Sequence, residues 1–270
     1  MSLTGEGLSE HEPVRIERRG RSAWIILSRP DRGNTIDLAT ARALMSAAAA
    51  CDADGGINCV VLTGEGKLFC GGGDVQSFAT AADDAPQLIR AITSHLHVAI
   101  ATFARMDKPL VTVINGPAAG AGLSLAILGD IALASRSAHF TVAYTGIGLT
   151  PDGGASWLLP RLVGLRRAQE LVLTNRRLSA DEAAEAGLVT RAVEHDQLIG
   201  EAEKVVEGLS RGATGAIGRA RQLLLSSFGN SIETQLELES RAITESMATA
   251  DGREGVDSFL NKRRPDFAKG

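Results

Sequence analysis

The sequence predicts an α/β core followed by an all-helical C-terminal region. Three observations carry that prediction. Short β-rich runs recur through the first 150 residues, each almost continuously apolar, as strands covered on both faces are. Helical patterns lie between them, and strand–helix–strand alternation implies crossover connections. After about residue 150 the strand signal fades, and roughly the last 65 residues read as helix.

Taken in order, the strands are expected at 23–27, 59–63, 109–115, 130–135 and 139–143. The first helix, 37–51, is alanine-rich, with Asp37 placed as N-cap. The second, 87–105, sets Leu88, Ile92, Leu96, Ala99, Ile100 and Phe103 on one face. Ser179-Ala180-Asp181-Glu182 forms a capping box that opens a short helix, which Gly187 closes. Helices follow at 196–209, 213–228 and 231–248, the first with a stripe of Leu198, Ala202, Val205 and Leu209. The expected organisation is a loose polar tail at 1–13, an α/β core at 14–205 and a helical region at 206–270.

Composition removes several function classes. The chain is 44% hydrophobic and 22% charged, too apolar for disorder. Its net charge of −4, scattered basic residues and few aromatics argue against nucleic acid as a partner. Cys51, Cys59 and Cys70 are odd in number and lack C-x-x-C spacing, which favours free thiols over a disulfide framework or a metal site. The most apolar window, 118–134, is interrupted by three glycines and Asp130 and is too short for a membrane span. The N-terminal stretch carries no apolar signal-peptide region. A cytoplasmic location is expected.

Two glycine-rich loops each follow a predicted strand. They are Phe69-Cys70-Gly71-Gly72-Gly73-Asp74 and Asn115-Gly116-Pro117-Ala118-Ala119-Gly120-Ala121-Gly122, the second opening a helical run at 123–128. Such loops let a ligand reach backbone amides, although glycines also serve tight turns and close packing. Gly64-Glu65-Gly66-Lys67-Leu68 lacks P-loop spacing, and neither loop matches G-x-G-x-x-G. Gly122-Leu123-Ser124-Leu125-Ala126 approaches a nucleophile elbow but ends on Ala126, and Ser124 has no evident His partner. His95 and His97 fall on different faces of the 87–105 helix and read as core or surface residues; His139 has no evident partner.

Together with Gly148-Leu149-Thr150-Pro151-Asp152-Gly153-Gly154-Ala155-Ser156-Trp157-Leu158-Leu159-Pro160-Arg161, these loops resemble the crotonase (enoyl-CoA hydratase/isomerase) superfamily. Further similarity lies in Leu27-Ser28-Arg29-Pro30 with Asn34-Thr35-Ile36-Asp37, in Ala183-Ala184-Glu185-Ala186-Gly187-Leu188-Val189, and in the stretch from Phe259 to Phe267. The resemblance implies a spiral of ββα turns with a C-terminal helical region that packs into trimers, often paired into hexamers. It implies an acyl-CoA substrate whose thioester oxygen is held by two backbone amides, at the matching positions Gly73 and Ala121. Cys70, Gly71, Gly72, Asp74 and Gly120 flank those amides as expected substrate-binding residues. No cofactor is implied beyond the coenzyme A carried by the substrate, and no metal.

Hydratases of the family use two glutamates, and the matching positions here hold Ser124 and Tyr144, which are expected to bind substrate. A phenol, with its ordinary pKa near ~10, is a poor base at neutral pH. Asp152, directly after Pro151, matches a position that several branches use as base or nucleophile. The run around it looks most like the ring-1,2-epoxyphenylacetyl-CoA isomerase branch, although an aspartate there is also placed to cap a following helix. Burial beside Tyr144, Leu149 and Trp157 is expected to weaken its acidity. Arg29 is a candidate for the CoA phosphates, and Phe259 and Lys262 match a stretch that in relatives contacts the nucleotide end of CoA. The expected activity is double-bond or ring isomerisation through Asp152. The alternatives are a hydratase with atypical acid–base groups and a catalytically silent CoA-binding protein.

Overall fold

The computed structural model describes residues 12–267. Strands β1 (Val14–Arg19) and β2 (Ser22–Leu27) form an antiparallel hairpin. Next come α1 (Leu38–Ala53), β3 (Cys59–Gly64), α2 (Val75–Ala81), α3 (Ala85–Arg105), β4 (Leu110–Ile114), β5 (Ala118–Ala119), α4 (Ala121–Ala126), β6 (Ile131–Ser135) and β7 (His139–Thr141). The chain continues through α5 (Ala155–Val163), α6 (Leu165–Thr174), β8 (Leu178–Ser179), α7 (Ala180–Glu185), β9 (Arg191–Val193) and α8 (Leu198–Ser210). It closes with α9 (Thr214–Ser226), α10 (Ile232–Ala248) and α11 (Ala250–Leu260).

Six strands make one sheet in the order β1-β2-β3-β4-β6-β9, parallel from β2 onward. Three short strands make a second, β5-β7-β8. Alternation along β2 explains the unbroken apolar runs. Ala23, Ile25 and Leu27 point into the larger core beneath α1 and α3, whereas Trp24 and Ile26 point into a second core sealed by Leu198, Ala202 and Val206 of α8. Asp37 caps α1 by accepting from the Thr40 amide at 2.8 Å, and the Ser179–Glu182 capping box opens α7 as expected.

Four strands escape the sequence reading. β1 carries only Val14 and Ile16 as inward apolar residues among charged neighbours, and β5, β8 and β9 are two or three residues long. The boundary expected at 205/206 falls inside α8, because Val206 is needed to close the second core. Residues 1–11 of the expected tail lie outside the described residues. Glu12 and Pro13 are pinned, their carbonyls accepting from the Ser28 hydroxyl and amide. The last helices differ from the core: Leu224, Phe228, Ile232, Leu236 and Ile243 are all exposed. Among the described residues no helix is long and apolar enough to cross a membrane.

Candidate active site

β3 and β4 lie side by side in parallel, so the loops leaving their carboxyl ends emerge together at the edge where open α/β sheets bind ligands. Asn34 clamps the first loop. Its buried amide donates to the carbonyls of Leu68 at 2.8 Å and Glu65 at 2.9 Å, and the Cys70 thiol donates back to the Asn34 carbonyl at 3.0 Å. Bridges Ile36–Gly73 and Cys70–Ala118 then fix the loop against its neighbours. The loops cross where Gly72 has φ +100°, and a Cβ there would sit 2.8 Å from the Ala119 carbonyl oxygen and 3.5 Å from the Ala121 nitrogen. A Cβ on Gly122 would run into the Cys70 carbonyl.

Gly73 and Ala121 both line a cavity of about 430 Å³, and neither amide has a hydrogen-bond partner among the described residues. Ala121 is the first residue of α4, a position whose N–H has no partner within a helix. Two unsatisfied donors facing one cavity can hold an oxygen that develops negative charge.

The opposite wall is made of side chains. Asp152 is the single carboxylate among the described residues lining the cavity. Its Oδ1 accepts from the Tyr144 hydroxyl at 2.5 Å, and its Oδ2 lies 3.6 Å from Nε2 of His97. Ser124, fully buried, donates to the Asp152 main-chain carbonyl at 2.9 Å and sits 3.4 Å from the Tyr144 hydroxyl. Burial pushes the Tyr144 phenol far above its ordinary pKa, and the adjacent Asp152 charge adds to the effect. Tyr144 therefore remains protonated and acts as a donor. The two positions that lack glutamates brace Asp152 rather than replace them.

The capping alternative for Asp152 does not hold for its carboxylate. Gly154 is the N-cap of α5, and Asp152 accepts from the Ala155 amide through its main-chain carbonyl only. The expected burial of Asp152 is partial, with 27% of its side chain exposed. Tyr144 and Leu149 line the cavity with it. Trp157 does not: it lies beneath the Arg161 guanidinium, 4.0 Å from its ring centroid, and faces a separate hollow.

Of the other expected residues, Gly71, Gly72 and Gly120 line the cavity. Four expected binding residues have structural partners instead. Cys70 is buried behind the loop, its thiol pushed up to about 12 by burial. Asp74 caps α2 by accepting from the Ser77 amide at 3.2 Å. The Arg29 guanidinium pairs with Asp37 and reaches the Thr40 hydroxyl at 3.2 Å. Ser124 lies behind Asp152 and does not face the cavity. Phe259 and Lys262 stand at the end of α11 and outside this cavity; Phe259 is strongly exposed.

Much of the cavity wall escapes the sequence reading: Ile36, Phe78, Ile92, Leu96 and Ile147 line it. Ile92 and Leu96 belong to the predicted stripe of α3, where spacing cannot separate a core position from a cavity position. His97 reads as a core or surface residue, yet it faces Asp152. Among the described residues no cluster of three or more His, Cys, Asp or Glu side chains could hold a metal ion.

Comparison with known proteins agrees with this architecture. The sequence profile of the enoyl-CoA hydratase/isomerase family matches residues 18–270. The chain is 36% identical over 244 residues to 1,2-epoxyphenylacetyl-CoA isomerase of Escherichia coli K12, covering 90% of this chain and 93% of the relative. It is 35% identical over 257 residues to a probable enoyl-CoA hydratase of Rhodobacter capsulatus, covering 95% and 98%. The crystal structure of an enoyl-CoA hydratase from Polaromonas sp. JS666 superposes with a TM-score of 0.90 at 31% identity, covering 94% of this chain and 98% of that one. With its two-sheet α/β core, paired amide loops and terminal helices, the chain belongs to the enoyl-CoA hydratase/isomerase (crotonase) family.

Proposed function

We propose that the protein is an enoyl-CoA isomerase that moves a double bond, or rearranges a ring, through Asp152, with no cofactor beyond the coenzyme A of its substrate. The observation that carries this reading is the cavity's single carboxylate facing two partnerless amides. Removing the α-proton of a 3-enoyl thioester leaves its electron pair in a dienolate, whose oxygen the Gly73 and Ala121 amides hold. Each such donor is worth about 2.7–4 kcal/mol. Returning a proton at the γ-carbon gives the 2-enoyl thioester, with no water consumed. Hydration would require a second acid–base group, and Tyr144 is held as a protonated donor.

The test is to incubate the protein separately with 2-enoyl-CoA, 3-enoyl-CoA and, following the name of the E. coli relative, 1,2-epoxyphenylacetyl-CoA. Interconversion of the enoyl forms, or rearrangement of the epoxide, supports the reading. Formation of 3-hydroxyacyl-CoA makes the protein a hydratase, and tight binding without turnover makes it a silent CoA-binding protein. The exposed apolar residues of α9–α11 support a further proposal, a homotrimer or a pair of trimers, in which Phe259 and Lys262 reach the nucleotide end of CoA on a neighbouring subunit. Sedimentation of Ile243→Glu checks it: a smaller species than the wild type is expected, and unchanged mass overturns it.

A further inference from the structure

We infer that His97 is a proton relay between Asp152 and solvent, so that the proton taken from the substrate exchanges with water instead of being returned intact. The inference rests on the Asp152 isomerase reading above.

The geometry begins with the two carboxylate oxygens. Oδ1 of Asp152 is engaged by Tyr144, which holds the carboxylate's orientation. Oδ2 faces Nε2 of His97 at 3.6 Å, just beyond hydrogen-bond length, as proton-transfer pairs often are before substrate binds. The Gly153 amide donates to the same Nε2 at 3.3 Å. The Gly153 N–H is aimed at Nε2 as at a lone pair, which makes Nε2 the ring nitrogen placed to accept a proton from Asp152. His97 does not line the cavity, so it acts through Asp152, and its side chain is 52% exposed. One end of the ring thus meets the base while much of its surface meets water.

The proton can then follow a balanced route. The Cα–H bond breaks, its electron pair passes to the thioester enolate, and its proton binds the Asp152 carboxylate. That carboxyl passes the proton to Nε2 of His97. The resulting imidazolium, paired with the regenerated carboxylate, releases one proton to water. Transfer to His97 competes with return to the γ-carbon because Nε2 faces the carboxylate oxygen that Tyr144 leaves free. A proton from solvent reaches that carbon by the reverse route.

The experiment measures deuterium gained per turnover when the wild type, His97→Gln, His97→Ala and Asp152→Asn convert a 3-enoyl-CoA in D₂O, alongside α-hydrogen exchange of a saturated acyl-CoA. Glutamine can still accept the Gly153 N–H but cannot carry a proton. H97Q is expected to take up at least fivefold less deuterium per turnover while kcat stays within a few-fold of the wild type, a split that a purely structural role would not produce. Because the site is half-exposed, added imidazole is expected to restore exchange in H97A. Wild-type deuterium content in H97Q, or no imidazole rescue in H97A, overturns the relay while leaving the role of Asp152 standing. Exchange that persists in D152N overturns the isomerase reading, and the relay with it.

Discussion

The two walls of the cavity are built by different means. On one side, Gly73 and Ala121 present main-chain amides from loops that cross at Gly72, and no side chain there needs to be chemically special. On the other, Asp152 is held at Oδ1 by Tyr144 and through its carbonyl by Ser124, which comes from the helix that follows the second loop. The backbone wall tolerates a change of side chain but not of backbone path. The side-chain wall behaves in the opposite way, because what it presents is particular side-chain oxygens.

The largest effect is expected on the side-chain wall. Asp152→Asn should lower kcat by about 10²–10⁴, the usual loss for a positioned proton-transfer group, with KM nearly unchanged. Steady-state kinetics on a 3-enoyl-CoA checks this, and a loss confined to KM would turn Asp152 into a binding residue. On the backbone wall, Gly72→Ala must adopt φ +100° and press its Cβ against the Ala119 carbonyl, moving the Gly73 amide. A fall of about 10²–10³ in kcat is expected, the cost of one misplaced oxyanion donor, and circular dichroism separates it from unfolding.

Tyr144→Phe should cost less, about tenfold in kcat, because it removes a hydrogen bond to a charged group but leaves the Asp152 carboxylate in place. Tyr144 is the one tyrosine of the chain, so its ionisation can be followed by ultraviolet absorbance without interference. The folded phenol holds its proton above the ordinary range, so the unfolded state binds fewer protons above pH ~10. Stability present below that pH should therefore fall as pH rises, and Tyr144→Phe should make that alkaline slope shallower in denaturant titrations, leaving the part contributed by the buried thiols of Cys51, Cys59 and Cys70, whose pKa values burial also raises. The smallest effect is expected for Ala121→Gly, which keeps the amide. Its cost is about 0.5–1 kcal/mol of stability for glycine in a helix, with kcat within a few-fold of the wild type.

The same contrast decides how much could be read in advance. Glycines that backbone crossing requires leave a mark in the sequence, so Gly71, Gly72, Gly73 and Gly120 were all recognisable. Asp152 was recognisable from its place after Pro151 and from the missing glutamates at 124 and 144. Cys70, Asp74, Arg29 and Ser124 were near enough in sequence to suggest ligand contacts, yet each has a nearer partner within the fold. His97 left no mark, because its partner lies 55 positions away and only the packing of α3 beside the 152–154 turn brings them together.

By itself, the sequence determined the α/β core with its helical tail, the two amide loops, the absence of glutamates at the two hydratase positions and the aspartate that remains. These follow from local rules: apolar periodicity, capping residues and glycine where the backbone must pass closely. Only the tertiary structure decided which side chains brace Asp152, that its carboxylate does not cap α5, that α8 belongs to the core, and that a histidine faces that carboxylate. Those are contacts between segments distant along the chain, whose geometry depends on how every intervening element packs.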